Sequence, residues 1–431
     1  MLHENIGVNT AGHLTFAGMD TIALCQKYGT PLMLCDENRL RRNMRTYVEA
    51  MRTFFTPDSH PLLASKALCF KEIYRIAASE GMYTDIVSPG ELYTACAAGF
   101  PLEHAFFHGN NKTDDAIAMA MECGLGYFVV DNREELDVLS AQAEKRGIRQ
   151  KILLRLTPGI DPHTHAKIST GKVDSKFGTA IETGQARALT DYALTLPGIS
   201  LEGFHCHIGS QIFDCAPFCD AADIMLAYLA RTQKETGHSF RLLNLGGGFG
   251  VRYTESDPQI DYAANIAAIA DHLRRKCAEY AIAMPDILME PGRSIVADAG
   301  MTLYTAGSVK SIPGYKNYVS VDGGMTDNPR YALYQSAYTI LNADRAADPA
   351  DFLCTVAGCC CESGDLLQEN VLLARPVRGE HIAVLVTGAY NYAMASNYNK
   401  VPRPPIVMLC DGSDRVAVRR ETYADLAAYD L

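Results

Sequence analysis

Lys66 stands in "LLASKALCF", flanked by apolar and small residues. An amine in that setting either reaches solvent at a strand end or, with its pKa depressed by burial, forms a Schiff base with a carbonyl. Two glycine-bearing stretches offer a second chemistry. "LGGGFG" from Leu245 and "EPGR" from Glu290 let backbone amides approach an anion closely. Either one alone reads first as a tight turn. A third stretch, "GCCCESGD", sets Cys359, Cys360 and Cys361 directly before Glu362. It could be a metal site, a redox switch, a packing feature or one catalytic thiol with two idle neighbours. Adjacent residues rarely converge on one ion with good geometry, so metal is the weakest of these. The other candidate cluster is "HCHIGSQIFDCAPFC", with His205, Cys206, His207, Cys215 and Cys219. If "EGFHCHI" is a strand, His205 and His207 share one face and Cys206 takes the other. No pair of CxxC motifs occurs, and no metal is expected.

These groups need a scaffold. Short apolar runs, rich in β-branched and aromatic residues, begin at Pro61, Tyr83, Ala105, Tyr127, Lys151, Leu201, Leu242 and Asp286. Helix-like segments lie between them. "REELDVLSAQAEKRG" puts Leu136 and Leu139 on one face and ends on glycine. Strand and helix alternating in this way over roughly 250 residues predict a parallel (β/α)8 barrel. The alternative is a doubly wound open sheet. "GGGFG" over 246–250 is not the GxGxxG fingerprint of a dinucleotide site, and it falls in the seventh unit rather than the first. After about residue 300 the pattern changes to strands separated by turn residues, such as "KNYVSVDGG", "FLCTVAG" and "HIAVLVTG". That predicts a C-terminal antiparallel β domain. The expected division is a barrel over 32–300 and a β domain over 301–431, with 1–31 contributing to the latter.

Bulk composition narrows the function. The chain has 431 residues, 48% hydrophobic and 21% charged, with a net charge of -11. That balance is of a soluble globular protein and argues against a nucleic-acid face. The N-terminal residues show no basic stretch followed by an apolar core, and no run approaches ~18 apolar residues. The reading expects a cytoplasmic protein without membrane contact, its 14 cysteines reduced.

In a barrel, active-site groups lie at the carboxyl ends of the strands. The candidates there are Lys66, Asp85, Asn110, Asp131, Arg155, His207, Ser210, Gly246, Gly247, Gly248, Glu290, Gly292 and Arg293. Glycine turns after neighbouring strands 7 and 8 form the usual barrel phosphate site. A Schiff-base lysine beside a phosphate cradle suggests pyridoxal 5'-phosphate. A carboxylate such as Glu290 would keep the ring nitrogen protonated, and His207 could stack on the ring. Taken singly, His207 reads as an ordinary hydrogen-bonded core histidine.

At these residues the chain resembles the fold-type III pyridoxal-phosphate decarboxylases, and within them the branch acting on diaminopimelate. The ordered motifs are "YGTPLMLCDENRLRRN", "ASKAL", "DIVSPGELYTA", "HGNNK", "ISTGKVDSKFG", "HCHIGSQ", "NLGGGFG", "EPGRSIVA", "VDGGMTDNPRYALY", "CESGD" and "GAYNYAMASNYNKVPRP". The resemblance implies a homodimer with shared active sites and a small-molecule substrate, meso-diaminopimelate, decarboxylated to L-lysine. By matching positions, Lys66 is the cofactor-bearing lysine, His207 the ring-stacking residue and Glu290 the ring-nitrogen partner. Ser210, Gly247, Gly248, Gly292, Arg293 and Tyr390 match the phosphate set. Arg293, Arg330, Tyr334, Glu362 and Tyr390 match the substrate set, and Cys361 matches the proton donor.

The sequence departs from the family in two places. "ASK" replaces the "AVK" of many members, and Cys359 and Cys360 are additions that small-residue packing would explain. A sister activity on ornithine, arginine or carboxynorspermidine is the alternative; "CESGD" and "NPRYALY" favour diaminopimelate. A pyridoxal-phosphate carrier without activity would not need the substrate positions, and a nicotinamide dehydrogenase would need the missing fingerprint.

Overall fold

The structure is a computed structural model that describes residues 2–160 and 175–431. The chain folds into two compact units.

The first unit comprises 44–250 and 259–292. Its strands are β1 (His60–Ala64), β2 (Tyr83–Ile86), β3 (Ala105–Phe107), β4 (Tyr127–Val130), β5 (Gln150–Thr157), β6 (Ile199–His205), β7 (Leu242–Asn244) and β8 (Asp286–Met289). Each pairs in parallel with its sequence neighbours, and Leu288 of β8 opposite His60 of β1 closes the ring. The result is the eight-stranded parallel barrel expected from the alternating pattern. Leu62, Phe106, Tyr127, Val129, Leu153, Leu242 and Leu288 form one buried cluster. These are bulky residues from six of the eight strands, so the barrel is filled by side chains rather than open as a pore.

The helices between strands begin and end on local signals. Helix α1 (Glu37–Phe54) precedes β1, and α2 (Lys71–Ser79) follows it. In α3 (Pro89–Ala98), Ser88 caps the Glu91 N–H, proline occupies the first turn and Gly99 at φ 76° ends the helix. After α4 (Asp114–Glu122), the helix α5 (Arg133–Arg146) starts at Asn132, which caps the Glu135 N–H, and stops at Gly147. Its Leu136 and Leu139 are buried, as their spacing predicts. Helices α6 (Gln185–Thr195), α7 (Ala216–Thr236) and α8 (Tyr262–Tyr280) complete the alternation. Among the described residues no helix is long and apolar enough to cross a membrane.

The second unit comprises 1–43, 251–258 and 293–431. From residue 300 on its strands are β9 (Gly300–Ile312), β10 (Lys316–Val321), β11 (Ile340–Asn342), β12 (Phe352–Ala357), β13 (Leu366–Leu373), β14 (His381–Leu385), β15 (Ile406–Cys410) and β16 (Ser413–Val418). The long strand β9 organises them. Its first half pairs with the strand Leu32–Asp36 on one side and β14 on the other, and its second half pairs with β10. The β domain is present, but the sheet is mixed: β10 with β12, and Leu32–Asp36 with β15, run parallel. Both parallel pairs join strands distant in sequence, which a reading of consecutive hairpins does not reach.

Candidate active site

Beyond β1 the chain turns into a short 3-10 turn, Ser65–Ala67. Asp85 at the end of β2 holds that turn by accepting from the Ser65 N–H at 2.9 Å, and Ser65 Oγ donates to Glu91 Oε2 at 2.8 Å. Lys66 therefore leaves the ladder and is exposed, so the burial argument made for it from sequence does not apply. It lines a cavity of about 340 Å³ together with Val87, His108, Gly109, Asn110, Arg155, Phe177, His205, His207 and Glu290. Burial pushes the Asp85 carboxyl up to about 8, and Glu290 adds to that while Lys66 opposes it.

The electrostatic centre of the cavity is Glu290, 5% exposed at the end of β8. Asn244 Nδ2 donates to its Oε1 at 2.8 Å, and the Nε2 atoms of His205 and His108 lie 3.3 and 3.1 Å from the carboxylate. Burial alone would raise the Glu290 carboxyl, but the two imidazoles outweigh it and hold the group well below the usual carboxylate range. Burial drives the histidines the other way. His205 is pushed down to about 4, and His207 falls well below its usual value through burial and the Lys66 charge. The wall thus carries an ionised carboxylate oriented by neutral imidazoles. Among the described residues, metal-type ligand atoms converge at His108, His205 and Glu290, all within 4.8 Å of one another, a set that takes His205 but no cysteine from the cysteine–histidine run.

Asn244 does a second job. Its Oδ1 accepts from the Gly246 N–H at 2.8 Å, which ties the glycine turn after β7 to Glu290. A Cβ on Gly247 would sit 2.0 Å from the Glu290 carbonyl oxygen, and one on Gly248, at φ 141°, would sit 2.8 Å from the Gly209 oxygen. Only glycine fits there. The Ser210 loop is laced to this turn: the Ile212 N–H donates to Gly248 O at 3.0 Å and the Gly250 N–H to Ile212 O at 2.9 Å. Gly292 packs against Ala64, whose Cβ is 2.7 Å from where a Gly292 Cβ would stand. Lys66, His207, Ser210, Gly247, Gly248, Glu290 and Gly292 thus all stand at the carboxyl ends of β1, β6, β7 and β8.

In the other unit, Arg293 donates to Tyr253 Oη at 2.8 Å and lies 4.8 Å from the Tyr390 ring centroid. Arg330 lies 5.5 Å from the same ring and 5.0 Å from that of Tyr334. Tyr390 takes φ 60°, a left-handed conformation that is uncommon outside glycine and aims its ring between the two guanidinium groups. Arg330 is 6% exposed and packs on two aromatic rings, so it is not the surface salt bridge that its type alone suggests. Besides the two tyrosine rings it meets Ser336 Oγ, to which it donates at 3.5 Å. Cys361 and Glu362 are exposed on the loop between β12 and β13.

Sequence reasoning did not single out His108, Phe177, Asn244 or Tyr253. His108 ends the run "AFFHGN", so the strand-end rule would have reached it. Of the motif "ISTGKVDSKFG", residues 168–174 lie outside the described residues.

The donors fit a phosphorylated pyridine aldehyde: an accessible amine at Lys66, an ionised carboxylate for a protonated ring nitrogen, and a glycine cradle that any side chain would fill. Residues 37–297 match the pyridoxal-binding domain of the pyridoxal-dependent decarboxylases. The diaminopimelate decarboxylase of Bacillus subtilis (strain 168) is 43% identical over 430 residues, covering 100% of this chain and 98% of the relative. A crystal structure of diaminopimelate decarboxylase from M. jannaschii in complex with L-lysine superposes with TM-score 0.92 at 34% identity, covering 100% and 99% of the two chains. That of Helicobacter pylori, also with L-lysine, gives 0.85 at 30% identity over 95% and 98%. With its whole length matched, and with Lys66, His207 and Glu290 facing one cavity at the barrel's strand ends, the chain belongs to the pyridoxal-dependent decarboxylase family.

Proposed function

We propose that this chain is a pyridoxal-phosphate-dependent carboxy-lyase that converts meso-2,6-diaminopimelate to L-lysine and carbon dioxide, the last step of lysine biosynthesis. The observation that carries the reading is the cavity shared by Lys66, His207 and Glu290, in a chain 43% identical throughout to a diaminopimelate decarboxylase. The cofactor, when bound, supplies a protonated ring that takes up the electron pair left as carbon dioxide departs. Lys66 would hold the cofactor through its side-chain amine. Glu290, ionised beside neutral imidazoles, keeps the ring nitrogen protonated. His207, on the cavity wall, would cover a face of the ring. Ser210, Gly247, Gly248, Gly292, Arg293 and Tyr390 would hold the phosphate. Arg293, Arg330, Tyr334 and Tyr390 receive the substrate's carboxylate end, and Glu362 receives its distal ammonium. Cys361 gives a proton from Sγ to the carbon that has lost carbon dioxide.

The active form in this reading is a homodimer, each cavity with its Lys66 completed by Cys361 of the partner subunit. Two measurements on the holoenzyme test the proposal. Borohydride reduction and peptide mapping are expected to find the pyridoxyl group on Lys66. Carbon dioxide release from meso-diaminopimelate is expected to match L-lysine formed, mole for mole. Release from ornithine or arginine, with none from meso-diaminopimelate, would overturn the substrate; a pyridoxyl group on another lysine would overturn the site.

A further inference from the structure

The three adjacent cysteines are not loosely placed. Each peptide N–H of the run is given to a different segment of the same unit. The Cys359 N–H donates to Gly323 O at 2.9 Å, that of Cys360 to Asp365 Oδ2 at 2.8 Å, and that of Cys361 to Asn399 Oδ1 at 2.9 Å. Asp365 is 2% exposed, and its other oxygen accepts from the Met325 N–H at 2.6 Å. Its backbone closes the loop as well, through Gly358 N–H to Asp365 O at 2.8 Å and Asp365 N–H to Glu362 O at 3.1 Å. Its carboxylate packs so closely on Gly358 that a Cβ there would stand 2.2 Å from Oδ1. A buried carboxylate that accepts two peptide N–H groups from separate turns is a clamp, since losing either bond leaves the charge under-satisfied.

Asn399 works from the other side. It stands at φ 52° and ψ 23°, in a left-handed conformation, and Lys400 follows at φ 57°. Asparagine tolerates that backbone better than most residues, and glycine tolerates it best. The loop is pinned just before it, where Asn397 Nδ2 donates to Glu421 Oε2 at 2.6 Å and to Val401 O at 3.1 Å. So a pinned, left-handed turn aims one amide oxygen at the Cys361 peptide.

We propose that Asn399 and Asp365 are positioning residues for the Cys361 thiol, Asn399 holding the Cys361 N–H and Asp365 that of the preceding Cys360, so that Sγ meets the reacting carbon on one face. The proposal rests on the reading of Cys361 as the proton donor. In that step the C–C bond to the leaving carboxylate breaks, and the electron pair it leaves behind forms the new C–H bond with the proton of Cys361 Sγ; the thiolate regains a proton from solvent. Clamping also gives Cys359 and Cys360 a place: they are the strap that spans from the 323–325 turn to Cys361.

Asn399→Gly separates positioning from backbone fit, because it keeps the left-handed turn and removes only the acceptor. Asn399→Asp keeps the acceptor. In the holoenzyme, Asn399→Gly is expected to lower kcat on the order of ten- to a hundredfold, as a displaced reacting group does, with KM and the cofactor absorption band little changed. Turnover in D2O adds a readout that a merely structural role would not move. Wild type and Asn399→Asp are expected to place deuterium at the decarboxylated carbon in one configuration. Asn399→Gly and Asp365→Asn, the latter setting an amide N–H against one of two peptide N–H groups, are expected to give a mixture. Full kcat and a single configuration in Asn399→Gly, beside a Cys361→Ala enzyme that loses both, would overturn the positioning role. If Cys361→Ala keeps both, the proton-donor reading fails instead, and the positioning role falls with it.

Discussion

Lys112 and Glu135 form an ion pair almost wholly withdrawn from water: Nζ lies 2.7 Å from Oε1, with the two side chains 1% and 2% exposed. The ammonium spends its other donors on Gly109 O at 2.9 Å and Val129 O at 2.8 Å, and Glu135 Oε2 accepts from the Asp131 N–H at 3.1 Å. Gly109 and Asn110 are cavity wall, so this pair braces one side of that cavity from behind. Lys112→Met is expected to strand a buried carboxylate at a cost of ~3–5 kcal/mol and to weaken cofactor binding. In Lys112→Met/Glu135→Leu, where no charge is stranded, the melting temperature is expected to recover while cofactor affinity stays low. Equal affinity of the double variant and wild type in a fluorescence titration would reduce the pair to a packing role.

The barrel was legible because each β/α unit carries its own period and its own stop signal. Asn132 before α5 and Gly147 after it mark that helix without any knowledge of the fold. The strand-end rule then collected Lys66, Asn110, Arg155, His207 and Glu290, all of which line one cavity. What it could not supply was support that arrives from far along the chain. Tyr253 reaches Arg293 across 40 residues, and nothing local in "GVRYTE" marks it. Asn399 reaches Cys361 across 38, from a stretch that reads as an ordinary turn. The parallel pairings of the second sheet escaped for the same reason: period gives strands, but register between distant strands comes only from packing.

Glu362 stands exposed at the tip of the loop that Asp365 clamps, and its Oε1 accepts from the Gly364 N–H at 3.1 Å. That bond aims the carboxylate without burying it, which suits capture of an ammonium ion. If Glu362 receives the distal ammonium as proposed, Glu362→Gln removes a charge-assisted hydrogen bond worth ~1.5–3 kcal/mol, so kcat/KM for meso-diaminopimelate is expected to drop about ten- to a hundredfold through KM, with cofactor binding intact. An unchanged kcat/KM would take Glu362 out of the site and reopen the question of which diamine acid the enzyme uses.

Asp327 shapes the pH dependence of stability. It is 6% exposed, and burial pushes its carboxyl up to about 7, against the Tyr304 hydroxyl and the Gly324 N–H, which favour the ionised form. Its folded pKa is therefore raised above the ordinary value of about 4. Below about pH 4 folded and unfolded chains both hold the proton; between there and about 7 only the folded chain does, so stability from this group is lost as pH rises through that window. Asp327→Asn has no proton to lose. The stability of wild type minus that of the variant, from urea unfolding of the cofactor-saturated protein, is expected to fall from about pH 4 to 7 and then level. Parallel curves across the window would show that the carboxyl is ionised in the fold throughout.

The homodimer is tested by dividing the chemistry between chains. Lys66 and Cys361 lie 295 positions apart in sequence, one on a barrel turn and the other on a β-domain loop. If each cavity takes its lysine from one subunit and its thiol from the other, Lys66→Ala and Cys361→Ala damage different halves of the same site. Either homodimer then has two broken sites. A mixed dimer has one site broken twice and one intact, the intact one joining Lys66 of the Cys361→Ala chain to Cys361 of the Lys66→Ala chain. Random reassortment of equal amounts makes half the dimers mixed, so the activity expected is about a quarter of wild type, as closed two-fold symmetry requires. Native mass spectrometry of tagged chains would establish that subunits exchanged. Exchange without any return of activity would mean that both groups serve a site within one chain, and the pairing of Cys361 with the partner's cavity would be wrong.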